Sequence, residues 1–119
     1  MKEKNRLSCF LRLGVFLAEY GFISHAHPFR KAIYINEIRL YPDEVDAVEV
    51  INACHTDPTY NAQALAYAQK HQLLQTSGSD THHEDMIFGG GMIFEQEISS
   101  ISDFIEVLKS KKGYQLLGS

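Results

Sequence analysis

From Ile101 onward the apolar residues Ile101, Phe104, Ile105 and Leu108 fall at i, i+3, i+4 and i+7, the stripe of an amphipathic helix. Ser100 and Asp103 ahead of it form a Ser-x-x-Asp variant of the capping box, and Gly113 is placed to end it. The same spacing recurs near the start, where Leu7, Phe10, Leu11, Gly14, Leu17 and Ala18 line one face, with Arg12 and Glu19 on the wet side and Gly21 closing the helix. Nothing in the pattern explains Gly14, which costs a helix about 1 kcal/mol relative to alanine. Residues 22–27 read as a strand stopped by Pro28, which removes a donor and restricts His27 to extended backbone. Residues 31–39 read as a short helix carrying Ile35 and Ile38 inward, and residues 41–44 as a turn.

A second strand covers residues 46–52, with Val48, Val50 and Ile51 as its β-branched positions. Glu49 interrupts that run, so its carboxylate is either exposed on one face or paired inside. A loop over 52–58 leads to a helix from Thr59 or Asn61, either of which can cap, through Leu65 and Ala66 to about His71. The alanines of this helix permit close packing on a sheet. Residues 73–76 form a third strand, residues 92–95 a fourth, and residues 114–117 a short last one. Gly89, Gly90 and Gly91 could let backbone approach a phosphate. They lack the Lys-Ser/Thr of a P-loop and the spacing of a dinucleotide fingerprint, so a hairpin or crossover turn is the preferred reading. Strands alternating with helices predict an α/β fold with crossovers and a largely parallel sheet.

The chain's 119 residues suit one domain, and its ordinary hydrophobic and charged fractions suit a soluble one. A formal net charge of −4 and the lack of a basic stripe make nucleic acid an unlikely main partner. Lys109, Lys111 and Lys112 sit where a helix end favours cations. Cys9 and Cys54 form no Cys-x-x-Cys pair, so neither a disulfide framework nor a zinc knuckle is expected. The basic start at residues 1–6 before Leu7 looks superficially like a signal peptide, but Arg12 and Glu19 break the apolar stretch. No run is long enough to span a membrane, and a cytoplasmic location is expected.

The chemistry gathers at strand ends. Asp80 and His82 stand two apart after the third strand, and His25 and His27 two apart before Pro28. On extended backbone such pairs share a face. A carboxylate beside an imidazole suits a divalent metal of mixed hardness, although a polar turn explains Asp80-Thr-His82 as well. Arg30 has a planar fork suited to phosphate or carboxylate, with a surface ion pair as the alternative. Three successive strands thus deliver polar groups beyond their C-terminal ends: His27 and Arg30, then residues 52–55, then Asp80 and His82. In α/β sheets that edge is where sites are built, and metal-assisted hydrolysis is the chemistry such ligands serve.

Taken in order, Phe22-Ile-Ser-His-Ala-His-Pro-Phe-Arg30, Val48-Glu-Val-Ile-Asn52 and Thr76-Ser-Gly-Ser-Asp-Thr-His82 resemble the PHP (polymerase and histidinol phosphatase) family of metal-dependent phosphoesterases. The resemblance covers about residues 14–112 and corresponds to the C-terminal half of that domain. It implies part of a distorted seven-stranded, TIM-like β/α barrel with mostly parallel strands and flanking helices. His27, Asp80 and His82 match metal ligands, for Zn, Mn or Fe, and Arg30 matches a position able to hold a substrate phosphate. The substrate implied is a phosphate-ester small molecule or a nucleotide. His25, Cys54, His55 and His83 match no ligand position. The His-x-His strand and further ligands that open the family domain have no counterpart, so residues 1–119 read as one partial PHP-like domain. Two functions follow as expectations: a phosphoesterase completed by another chain or by a second copy, and a non-catalytic remnant or partner-binding half-domain.

Overall fold

The computed structural model describes residues 21–86 and 89–118. The expected N-terminal helix over residues 7–20 lies outside them. Strands β1 (Ser24–His25), β2 (Ala47–Asn52) and β3 (Leu74–Gly78) form a parallel sheet in the order β1-β2-β3. Helix α1 (Pro58–Lys70) makes the crossover from β2 to β3. Strands β4 (Gly91–Phe94) and β5 (Tyr114–Leu117) pair antiparallel on either side of helix α2 (Ile101–Ser110). The α/β expectation holds at this level. The described residues form no closed barrel, and the β4–β5 pair departs from an all-parallel arrangement.

Two apolar clusters hold the strands. Ile23, Val45, Val48 and Val50 pack with Ala64, Tyr67 and Ala68 of α1. Ala64 and Ala68 are essentially inaccessible, so the small side chains bring α1 close to the sheet, as their abundance predicts. The buried face runs through Ala64, Tyr67 and Ala68, whereas Leu65 and Ala66 are exposed. Phe22 and Ala47 meet Ile105 and Leu108 of α2, which carries its apolar stripe inward as read.

Helix starts show how local chemistry chooses between candidates. Asp57 caps α1 instead of Thr59 or Asn61: its carboxylate accepts from the Thr59 N–H at 2.9 Å, and Pro58 takes the first helical position. At α2, Ser100 Oγ accepts from the Asp103 N–H at 3.1 Å, as the capping box requires. The return arm is shifted by one residue, since Asp103 accepts from the Ser99 N–H and hydroxyl. Lys111, with φ +60°, takes the left-handed position beyond α2 ahead of Gly113.

The helix expected over residues 31–39 does not form; the segment is a turn followed by irregular chain. Ile33 is fully exposed and Tyr34 largely so, leaving no continuous inward face to stabilise a short helix rich in β-branched residues. Among the described residues, no helix is long and apolar enough to cross a membrane.

Candidate functional site at the C-terminal edge of the sheet

Because β1, β2 and β3 run parallel, the segments that follow them open on one edge. There the chain brings together Arg30, Glu49, Asn52, His55 and Asp80. The Arg30 guanidinium uses all three nitrogens. One terminal nitrogen pairs with Asp80 Oδ2, Nε donates to His55 Nε2 at 3.0 Å, and the other terminal nitrogen reaches the Tyr34 hydroxyl at 3.4 Å. Asn52, 1% exposed, donates from Nδ2 to Glu49 Oε1 at 2.8 Å and to Asp80 Oδ2 at 3.3 Å. Each strand therefore contributes to one hydrogen-bonded cluster.

Glu49 is paired inside. Its Oε1 also accepts from the His27 backbone N–H at 3.1 Å, tying the end of β1 to β2. A register shift between Glu49 and Ile51 in the β2–β3 pairing marks the place where regular alternation breaks. Gly78 makes room for this carboxylate: a Cβ there would lie 2.8 Å from Glu49 Oε2. Gly90 packs its backbone on Gly78 so closely that a Cβ would meet Gly78 O at 2.2 Å. That contact, with the Gly91 N–H donating to Ser77 Oγ at 3.1 Å, assigns this end of the glycine run to backbone packing.

The shared faces expected from extended backbone are replaced at both candidate ligand pairs. His27 has φ +29° although it precedes proline, and Asp80 has φ +56° beyond the end of β3. His25 is buried, its Nδ1 without a hydrogen-bond partner among the described residues, while His27 is half-buried at the site. Asp80 faces inward, but the His82 side chain is 66% exposed. His82 Nδ1 lies 2.8 Å from the backbone oxygen of Asp80 and 3.6 Å from its Oδ1. The two are neighbours through a local turn, without pointing into one cavity.

Electrostatics follow the contacts. Burial pushes the Asp80 carboxyl up, and the bonds from Arg30 and Asn52 outweigh it, holding it below the usual carboxylate range. Burial likewise opposes the Arg30 charge, and the bonds to Asp80 and Tyr34 overcome it, raising its pKa. His55 is lowered chiefly by burial, with its bond to Asn61 acting the other way and Arg30 adding to the lowering. Burial, then neighbouring His27, push His25 down to about 4.

As ligand types, His27, Asp80 and His82 suit a divalent ion. As placed, they do not fit one: no group of three or more His, Cys, Asp or Glu side chains could hold a metal among the described residues, and Asp80 Oδ2 is taken by Arg30. Glu49, Asn52, His55 and Asn61 join the site although spacing alone did not single them out as ligands. The interruption of an apolar strand by Glu49, and the polar residues 52–55 beyond that strand's end, were the signals available.

Residues 58–112 match the family model described as PHP-associated. The match agrees with the resemblance to the C-terminal part of a PHP domain. It takes in Asp80 and His82, while His27, Arg30, Glu49, Asn52 and His55 precede it. No curated protein and no solved structure matches the chain significantly.

Proposed function

We propose that this chain contributes the phosphate-holding side of a PHP-type phosphoesterase site, with Arg30 as the anion-binding group. One observation carries the reading: segments following three successive parallel strands join Arg30, Asn52, His55 and Asp80 in a single cluster. A sheet edge of this kind is where α/β folds bind anionic substrates, and a guanidinium fork matches a phosphate better than any other group present. The substrate class is a phosphate-ester small molecule or nucleotide. A divalent ion (Zn, Mn or Fe), when bound, would supply a polarising cation and an activated water. His27, Asp80 and His82 offer the ligand types without the ligand geometry, so in this reading they would hold an ion only once Asp80 is released from Arg30 and donors from outside residues 21–118, from a complementing chain or a second copy, complete the set.

Two binding measurements test this. Titration with inorganic phosphate should show binding that weakens by about tenfold or more in Arg30→Gln, the loss expected for a charge-assisted contact. Calorimetric metal titration with elemental analysis should show weak or no binding by the chain alone, and stoichiometric binding, lost in Asp80→Ala, once the complementing segment is present. Phosphate affinity unchanged in Arg30→Gln sinks the reading. Metal-dependent hydrolysis of a generic phosphate ester by the isolated chain refutes the dependence on further donors.

A non-catalytic, partner-binding role is the second reading. It is favoured by the closure of Asp80 onto Arg30, which leaves neither group free in the described arrangement. Metal binding that never appears, with or without a complementing chain, decides for it.

A further inference from the structure

His55 matches no ligand position, yet it sits between the Arg30 guanidinium and helix α1, and two independent contacts dictate which of its nitrogens carries the proton. A guanidinium donates and never accepts, so His55 Nε2, 3.0 Å from Arg30 Nε, must present a lone pair. On the other side, His55 Nδ1 lies 3.0 Å from Asn61 Oδ1. That atom is identified as the amide oxygen because it also accepts from the Asn52 backbone N–H at 3.1 Å. An acceptor opposite Nδ1 requires Nδ1 to donate. Both ends therefore demand the same neutral imidazole, protonated at Nδ1 and bare at Nε2.

We propose that His55 and Asn61 are positioning residues for Arg30: His55, held as the Nδ1–H tautomer by Asn61, fixes the guanidinium plane over the C-terminal edge of the sheet. The proposal rests on the reading of Arg30 as the phosphate-holding group. Asn61 is itself doubly tied, since its Nδ2 donates to the Asn52 backbone oxygen at 3.4 Å, so α1 and the end of β2 act as one anchor. The His55 ring is further packed edge-on against Tyr60, centroids 5.2 Å apart, which limits its rotation. With Nε engaged by His55, the terminal nitrogens of Arg30 are turned toward Asp80 and Tyr34, the two partners that a bound phosphate would replace. A group held through Nε loses less freedom on binding than a free arginine does.

The test uses ring-nitrogen spectra of the intact chain, with His55 assigned by its loss in His55→Gln. The expected signature is a protonated Nδ1 with an unprotonated Nε2. His55→Leu should lose the protected Arg30 Nε–H resonance and weaken inorganic phosphate binding about tenfold, the scale of one lost charge-assisted bond. His55→Gln offers an acceptor to Arg30 and a donor to Asn61, and should keep the resonance and stay within about threefold of wild type. A backbone amide spectrum matching wild type shows that each variant is folded. An Nε2–H tautomer at His55 overturns the proposal. Unchanged phosphate affinity in His55→Leu also overturns it, while loss in Arg30→Gln leaves the Arg30 reading standing. If the wild-type chain binds no phosphate, that reading fails on its own. The Arg30 Nε–H resonance then decides the positioning role: loss in His55→Leu upholds it, and persistence overturns it.

Discussion

Replacing Glu49 by alanine tests how the site is held together. Its carboxylate accepts from the His27 backbone N–H at 3.1 Å and from Asn52 Nδ2 at 2.8 Å. Asn52 keeps its longer bond to Asp80 at 3.3 Å, so the full loss falls on the His27 N–H. An orphaned buried donor costs about 1–3 kcal/mol, and a bond to a charged acceptor contributes about 1.5–3 kcal/mol. Allowing for the partial compensation at Asn52, Glu49→Ala should destabilise the fold by about 2–4 kcal/mol. With a urea slope of about 2 kcal/mol/M, the middle of the usual range, the midpoint falls by roughly 1–2 M. Glu49→Gln keeps a carbonyl acceptor and loses only the charge assistance, for a cost of about 1 kcal/mol. Gly78→Ala sharpens the test, because its Cβ would press on Glu49 Oε2 at 2.8 Å. Its cost of about 1–3 kcal/mol should largely vanish in the Glu49→Ala background, a non-additivity that a double-mutant cycle reads directly. Urea denaturation followed by circular dichroism supplies every number. A Glu49→Ala loss below about 1 kcal/mol, or strict additivity with Gly78→Ala, would refute the assignment of Glu49 as the tie between the end of β1 and β2 that Gly78 of β3 makes room for.

Two further outcomes follow from the helices. Hydrogen bonds from the Thr59 hydroxyl and N–H hold the Asp57 carboxyl below its ordinary 3.8, and bonds from the Ser99 hydroxyl and N–H do the same for Asp103. A depressed folded-state pKa gives stability that is present above the unfolded value and lost as pH falls through the folded one. Acid should therefore weaken both caps below about pH 4, and Asp57→Asn with Asp103→Asn should flatten that part of the stability–pH curve; an unchanged slope would reject the caps as its source. Leu108 is fully buried between α2 and the sheet. Leu108→Ala should cost about 2–5 kcal/mol in a denaturant melt, and a cost under about 1 kcal/mol would mean that α2 does not seal that core.

Elements with a strong period were legible in the sequence. The stripe of α2, its Ser100 cap and the β-branched run of β2 all appear where periodicity and capping chemistry put them. Residues 31–39 show the opposite case: Ile35 and Ile38 suggest a helical face and are half-buried, but among the described residues neither joins the buried core, and Ile33 stands in solvent. Side-chain period carries information only where a partner surface exists to reward it. Gathering of polar groups at one sheet edge was also legible, because parallel strands force their C-terminal ends together. Identifying the partners was not. Arg30 and Asp80 are 50 residues apart, and His55 reaches Asn61 only because the loop after β2 folds back on the helix it feeds.

Where the inference from spacing failed, it failed for one physical reason. Placing His25 with His27, and Asp80 with His82, on common faces assumed extended backbone through both pairs. The strands end sooner, and the chain turns through positive φ at His27 and Asp80. Such conformations cost about 1–3 kcal/mol each when side chains bear a Cβ, and they persist only where neighbours over-determine them. Here the neighbours are identifiable. Glu49 holds the His27 N–H, while Arg30 and Asn52 hold the Asp80 carboxylate. The two turns are thus paid for by the same cluster whose geometry they create: without them, Asp80 would not face Arg30 and the His27 N–H would not face β2. Strain at the strand ends and polar pairing at the edge are one structural unit, and this is why Glu49, which is not among the proposed ligands, matters to the site: it holds the turn at His27 and, through Asn52, reaches the turn at Asp80.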